Sequence, residues 1–227
     1  MTIDRRTALA AAIGAGALAA VPASAGAQAG PPAFAPQTLP FDPAAVSGLS
    51  ARLLTSHHDN NYVGAVKRLS AIRGEFGKLD PATAPGFAIN GLKREELIAW
   101  NSMILHEIYF TGLGSPNRPG TPLASAMERD FGSMTRWQAE YVAMGKALGG
   151  GSGWVMLTWS PHDRRLVNTW AADHTMTLAG GSPILVLDMY EHAYAMDFGT
   201  KAAAYVDAVM AATNWTAADA RFVKASA

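Results

Sequence analysis

Of the side chains in these 227 residues that could do chemistry, the six histidines carry the most information. His106 stands in Met103-Ile104-Leu105-His106-Glu107-Ile108-Tyr109-Phe110, an apolar helical run in which a titratable ring is costly unless something binds it. Read alone, it is more simply a core histidine with a hydrogen-bonded ring. Asp188 closes the apolar run Ile184-Leu185-Val186-Leu187, and His192 follows four residues later. In a helical turn or tight loop that spacing puts carboxylate and imidazole on one side, where they can share an ion, and a carboxylate at the end of a buried strand needs a partner. His57 and His58 are adjacent, with Tyr62 one turn beyond His58. Neighbouring rings on a helix point about 100° apart, so at most one of the pair readily faces a given site. One histidine of that pair, His106, Asp188 and His192 together offer three neutral imidazoles and one carboxylate, a donor set that suits iron, manganese or zinc. The chain has no cysteine, so thiolate zinc sites, disulfides and cysteine nucleophiles are excluded.

Hydrophobic residues make up 49% and charged ones 16%, with 18 basic against 18 acidic groups. That is too apolar and too balanced for a disordered chain, and it lacks the basic footprint of a nucleic-acid binder. The length fits one medium domain or two small ones. Residues 1–27 read as an export signal: Arg5 and Arg6 precede an apolar run, and the small residues Ala23-Ser24-Ala25-Gly26-Ala27 suit signal-peptidase cleavage. The start Asp4-Arg5-Arg6-Thr7-Ala8-Leu9 resembles a twin-arginine signal, with Ala8 where Phe is commonest, and implies a periplasmic or exported protein that crosses the membrane already folded. The run is too short and too rich in Gly and Ala to span a bilayer comfortably, and no second one follows, so no stable membrane anchor is expected. Removing residues 1–27 leaves 16 basic and 17 acidic groups.

The elements that must bring these side chains together follow from periodicity and turn residues. Residues 28–45 read as an extended arm, and residues 46–112 as an antiparallel helical hairpin: a helix over 50–76 opened by Ser50, a proline- and glycine-punctuated loop over 78–90, and a helix over 93–110. After a loop over 112–122 come helices over 123–131 and 134–147. Aromatic and β-branched strands follow over 153–160 and 166–172 around a turn at Pro161-His162-Asp163, then a short buried strand over 184–187 and a helix over 201–214. The predicted fold class is α+β, with the hairpin followed by a C-terminal domain over 113–227 of helices and a small three-stranded antiparallel sheet.

Asp188-Met189-Tyr190-Glu191-His192-Ala193-Tyr194 resembles the D-x-W-x-x-H-x-[FY] signature of the iron/manganese superoxide dismutases; Gly151-Ser152-Gly153-Trp154 and Asn214-Trp215 resemble that family's G-S-G-W and N-W. The resemblance covers residues 45–220 in the same order. It implies that His106, Asp188 and His192 are metal ligands. Aligned from Ser50, His57 falls on the first ligand position, which implies a three-residue deletion before Tyr62; His58 is the alternative ligand and otherwise resembles a neighbour of the site. The resemblance further implies one iron (Fe) or manganese (Mn) ion per subunit, with Tyr62 as a tyrosine of the substrate channel. His174 would be the group contacting solvent on the ion, since it falls where manganese members carry Gln, whereas Ser102 stands where iron members place theirs. Trp154, Phe110 and Tyr190 would wall the site, and Glu191 would orient His192 across a homodimer interface.

Departures accompany the likeness. Tyr190 and Phe110 each stand where the family has Trp, Ala195 replaces a Tyr that would meet His58 across the interface, and Lys201 lies one place from an expected Arg. The activity implied is disproportionation of superoxide to oxygen and hydrogen peroxide by an ion cycling between two oxidation states. Two rival expectations stand beside it: a zinc hydrolase or non-haem iron enzyme on the same ligands, and a metal-binding relative without catalysis.

Overall fold

The computed structural model describes residues 34–227; the expected export signal and the first residues of the arm lie outside the described residues. The arm runs without regular structure from Phe34 and bends at Pro40 and Phe41 before Asp42, whose side chain caps a short 3-10 turn, Pro43–Ala45. Ser50 then opens helix α1, Ala51–Ser56, its hydroxyl accepting the Leu53 N–H at 3.0 Å. The expected unbroken helix is interrupted here. His57–Tyr62 is a π-helical turn before α2, Val63–Phe76. Asn60 gives a local reason: its side-chain amide donates to the Ser56 carbonyl at 2.9 Å, taking the acceptor that an α-helix would give to the Asn60 backbone N–H.

Helix α3, Gly86–Thr111, begins seven residues earlier than the sequence suggested. Pro85 and Gly86 read as loop punctuation, yet a proline just before or at the first helical position costs no intrahelical bond, and the Pro85 carbonyl already accepts from Ala88 and Ile89. Helices α4 (Thr121–Phe131) and α5 (Met134–Ala147) follow, then strands β1 (Trp154–Ser160), β2 (Arg165–Ala171) and β3 (Ser182–Asp188), the short helix α6 (Ala195–Phe198), α7 (Ala202–Ala211) and α8 (Thr216–Ser226). Helix α8 was not foreseen; it buries only Ala218 and Phe222, too sparse a stripe to show periodicity.

The sheet is antiparallel in the order β2-β1-β3. One face, with Trp154, Met156, Ala171 and Val186, packs against Leu105 and Ile108 of α3. The other face joins a larger apolar cluster that runs from Leu53 and Leu69 through Tyr109 to Leu187 and Tyr205. Register places Trp154 opposite both Ala171 and Asp188, so the central strand sets the depth of the carboxylate. Gly153 makes that approach feasible: it sits at φ +141°, its carbonyl accepts from Met189, and a Cβ there would fall 2.1 Å from the Ala171 carbonyl oxygen. Gly145 similarly lets α5 close on Leu187, 2.7 Å from where a Cβ would be. Replacing Gly153 by Ala combines backbone strain with overpacking, and is expected to lower the unfolding free energy of the metal-free protein in urea by about 3 kcal/mol.

Candidate metal centre

Four side chains from both ends of the fold converge on one point. His57 comes from the first turn of the π-helical segment, His106 from the C-terminal half of α3, Asp188 from the last position of β3, and His192 from the 3-10 turn Glu191–Ala193 just after it. Their ligand atoms all lie within 4.8 Å of one another. Measured from Asp188 Oδ2, the Nε2 atoms of His57, His192 and His106 stand at 3.1, 3.3 and 3.5 Å. Ligands at about 2.1 Å from a shared ion, separated by angles near 90–120°, lie about 3.0–3.6 Å apart, so the spacing fits an ion. Of the adjacent pair, His57 joins this cluster. His58 does not: its Nδ1 meets the Asp59 carboxylate at 2.7 Å and its Nε2 the Gln37 carbonyl at 2.8 Å.

Hydrogen bonding fixes which atoms face the centre. The Ser102 carbonyl can only accept, and it lies 2.6 Å from His106 Nδ1, so that nitrogen carries the proton and Nε2 presents a lone pair. Nε2 is buried without a hydrogen-bond partner and points toward a carboxylate oxygen. Two acceptors face to face in a buried place repel each other unless a cation lies between them, which is the strongest sign that this donor set holds a metal. Asp188 is oriented just as firmly. Its Oδ1 accepts the Tyr190 N–H at 2.8 Å, leaving Oδ2 for the site, and its own carbonyl accepts the Tyr205 hydroxyl at 2.8 Å. Since that proton is committed, the 3.2 Å contact between the two tyrosines makes Tyr109 the donor to Tyr205.

Burial keeps His57 and His106 neutral. Loss of hydration, reinforced by the neighbouring His57, pushes His106 down to about 3. His57 is lowered by burial too, against the pull of Asp188. Burial alone would raise the Asp188 carboxyl, but its hydrogen bonds and charge interactions with His192 and His57 leave it well below the usual carboxylate range. His174 is also lowered by burial.

Around the four lie the aromatic residues expected there. His106 meets the face or edge of Trp154 at 5.2 Å, His57 that of Phe110 at 5.0 Å, and Tyr190 stacks on His192 at 5.4 Å. His174 also stacks on Tyr190, 4.9 Å away and nearly parallel. The Trp154 indole can only donate, and it lies 3.0 Å from His174 Nδ1; a neutral His174 therefore carries its proton on Nε2. Asn101 holds the backbone of the same residue through its carbonyl.

Tyr62 stands one layer out. Its ring neighbours are His58 and Phe110, and its hydroxyl donates to Glu107 at 3.0 Å and accepts the Gln37 N–H at 2.8 Å. Burial first, then the Glu107 contact, push this phenol up to about 12. With His58, Glu107 and Phe110 it lines a cavity of about 30 Å³ roofed by Gln37, Thr38 and Pro40 of the arm. Glu191 is exposed at the surface beside His192, whose side chain is 26% exposed and is the least buried of the four.

Sequence reasoning missed the parts played by the Ser102 carbonyl, Tyr205, Tyr109 and Gln37. The first was accessible in principle, because a residue four before His106 on a helix lies beside its ring. The others depend on contacts across the chain that no local pattern announces.

Three imidazoles and one carboxylate, joining a helical hairpin to an α+β half, define the class as a protein with a cysteine-free metal-binding group of nitrogen and oxygen donors. Residues 119–221 match the family model of the iron/manganese superoxide dismutases, C-terminal domain. Among curated relatives, the superoxide dismutase [Fe] of Cupriavidus metallidurans is 64% identical over 184 residues, covering 81% of this chain and 93% of that protein. The superoxide dismutase [Mn] 1 of Halobacterium salinarum is 29% identical, covering 83% and 94%. The superoxide dismutase [Fe] of Aquifex pyrophilus is 30% identical, covering 81% and 88%. This chain belongs to the iron/manganese superoxide dismutase family.

The depressed histidines set a pH window for the metal-free protein. Each stays neutral in the fold but takes up a proton near 6.5 once unfolded, so the stability they contribute is complete above 6.5 and is lost as the pH falls below it, for His106 down to about 3. Asp188 adds to the loss only below its ordinary value of 3.8. Urea midpoints of the metal-free protein are therefore expected to fall steadily between pH 7 and pH 4.5, and a His106→Gln variant to show a shallower fall.

Proposed function

We propose that this chain is a superoxide dismutase that converts superoxide to oxygen and hydrogen peroxide at one iron or manganese ion per subunit, held by His57, His106, Asp188 and His192. The observation that carries the reading is the buried, unpartnered Nε2 of His106 aimed at Asp188 Oδ2 within a set of three imidazoles and one carboxylate. Membership of the dismutase family argues against a zinc hydrolase on the same ligands. Iron is the first ion to test, because the 64% identical relative is named for it.

An ion held by His57, His106, Asp188 and His192 would supply the one-electron chemistry that disproportionation of superoxide needs. The rest falls to the chain. Neutral imidazoles with a single carboxylate keep the net charge of the donor set at minus one, and the Ser102 carbonyl holds His106 in the tautomer that presents Nε2. His174, with Nδ1 engaged by Trp154, offers an Nε2–H for the protons that peroxide formation consumes. Trp154, Phe110 and Tyr190 exclude bulk water around the ligands. Tyr62 acts at one remove, bonded to Glu107 beside ligand His106 and lining the small cavity with His58.

The reading extends to assembly and address. Glu191 and the open side of His192 lie at the surface, which supports a homodimer in which Glu191 of one subunit orients His192 of the other. Arg5-Arg6 and the small residues before position 28 support export by the twin-arginine route to the periplasm. Among the described residues no helix is long and apolar enough to cross a membrane.

Metal analysis of the protein purified after export, paired with a superoxide consumption assay, tests the whole reading. About one iron or manganese per chain with turnover is the expected result. His106→Ala is expected to lose both metal and activity, and retention of either would remove this residue from the centre.

A further inference from the structure

Two of the four proposed ligands, His57 and His192, lie far apart in the chain, yet their rings come within 4.7 Å. The segments that carry them are joined at the surface by a contact outside the centre itself. The Asp197 carboxylate accepts twice from Ser50, its Oδ2 from the backbone N–H and its Oδ1 from the hydroxyl, both at 2.7 Å across 147 residues of sequence. The same Ser50 hydroxyl accepts the Leu53 N–H, so the grip passes into the first turn of α1, the helix that leads directly to His57. On the other side, Asp197 belongs to α6, which follows at once from the 3-10 turn holding His192. That loop is anchored inward as well: Tyr194 is buried and packs 5.5 Å from Tyr205, the residue whose hydroxyl holds the Asp188 carbonyl.

We infer that Asp197 is a positioning residue for the metal centre, setting the start of α1 against the His192 loop and thereby the distance between His57 and His192. The inference rests on the reading of both histidines as ligands. Three features support it. A carboxylate at the first N–H of a helix is held by charge as well as by geometry, and here both of its oxygens are used. The helix it grips turns π-helical at His57, and the i→i+5 pattern is rare and held mainly by context, so the axial place of His57 depends on how the helix start is fixed. Finally, the contact is solvent-exposed, where such bonds add little to global stability, so its effect is expected in the geometry of the site more than in the unfolding midpoint.

The test measures release of the bound ion from the holoprotein to an excess of chelator, alongside urea unfolding of the metal-free protein. Asp197→Ala is expected to speed release about tenfold, with Asp197→Asn, which keeps one acceptor, in between, and to shift the electron paramagnetic resonance spectrum of the ion. Ser133→Ala serves as the control, since it removes an equivalent cap from α5, the bond to Arg136 N–H at 3.1 Å, away from the ligands. It is expected to lower the urea midpoint without changing release. Release from Asp197→Ala at the wild-type rate, or equal acceleration by Ser133→Ala, would overturn the inference; if Asp197→Ala does not fold, Asp197→Asn decides in the same way. Failure of the underlying ligand reading looks different: His106→Ala would then hold as much metal as the wild type, and the inference would fall with it.

Discussion

The structure depends on one oxygen atom. Asp188 Oδ2 lies in a fully buried position with three imidazole nitrogens within 3.5 Å, and an ionised carboxylate cannot stay there without compensating positive charge. Hydrogen bonds from protonated imidazoles could supply that charge, but burial drives His57 and His106 the other way, and the Ser102 carbonyl commits the His106 proton to the far side of its ring. A cation in the centre resolves the conflict between a charged acid and neutral bases. Much of the fold can be read as the scaffolding that makes this conflict stand still.

That scaffolding is assembled from opposite ends of the chain. The central strand places Asp188 opposite Trp154, and Gly153 allows the backbone to pass close to Ala171 at that depth. Tyr205 on α7 fixes the Asp188 carbonyl, and Tyr109 on α3 donates to Tyr205, so helix, strand and the second helical layer share one hydrogen-bonded line behind the site. In front of it, Trp154 and Tyr190 hold His174 by one nitrogen and one ring face. A ring fixed in this manner has little freedom left to lose in any further interaction, which is the physical content of preorganisation.

The outer surroundings are set by an irregular helical turn and by the arm. The shortened spacing between His57 and Tyr62 is absorbed in a π-helical turn, and the arm contributes Gln37, whose N–H and carbonyl engage Tyr62 and His58 from within the same chain. Further along the arm, Phe34 packs on Trp100 with the Arg73 guanidinium over both rings. The arm is thus a strap over the hairpin, and the small cavity beside Phe110 lies beneath it.

By itself the sequence determined the donor types a metal could use and, through a family resemblance, the activity to expect. Types and spacing singled out His106, Asp188 and His192, because a titratable group inside an apolar run is expensive and shows up in local pattern; the α+β order, the hairpin and the three strands were equally local. It also narrowed the remaining histidine to an adjacent pair, since neighbouring rings on a helix diverge. Which of the two enters the site, where α3 begins, and which atom of each ring faces inward were decided only by tertiary structure. Those outcomes turn on contacts between distant segments, such as Ser50 with Asp197 or Trp154 with His174, and on a non-standard helical turn whose stability comes from its surroundings. Periodicity records how a residue relates to its own element, while the placement of a proton or a metal-facing nitrogen is set by partners that the chain brings in from elsewhere.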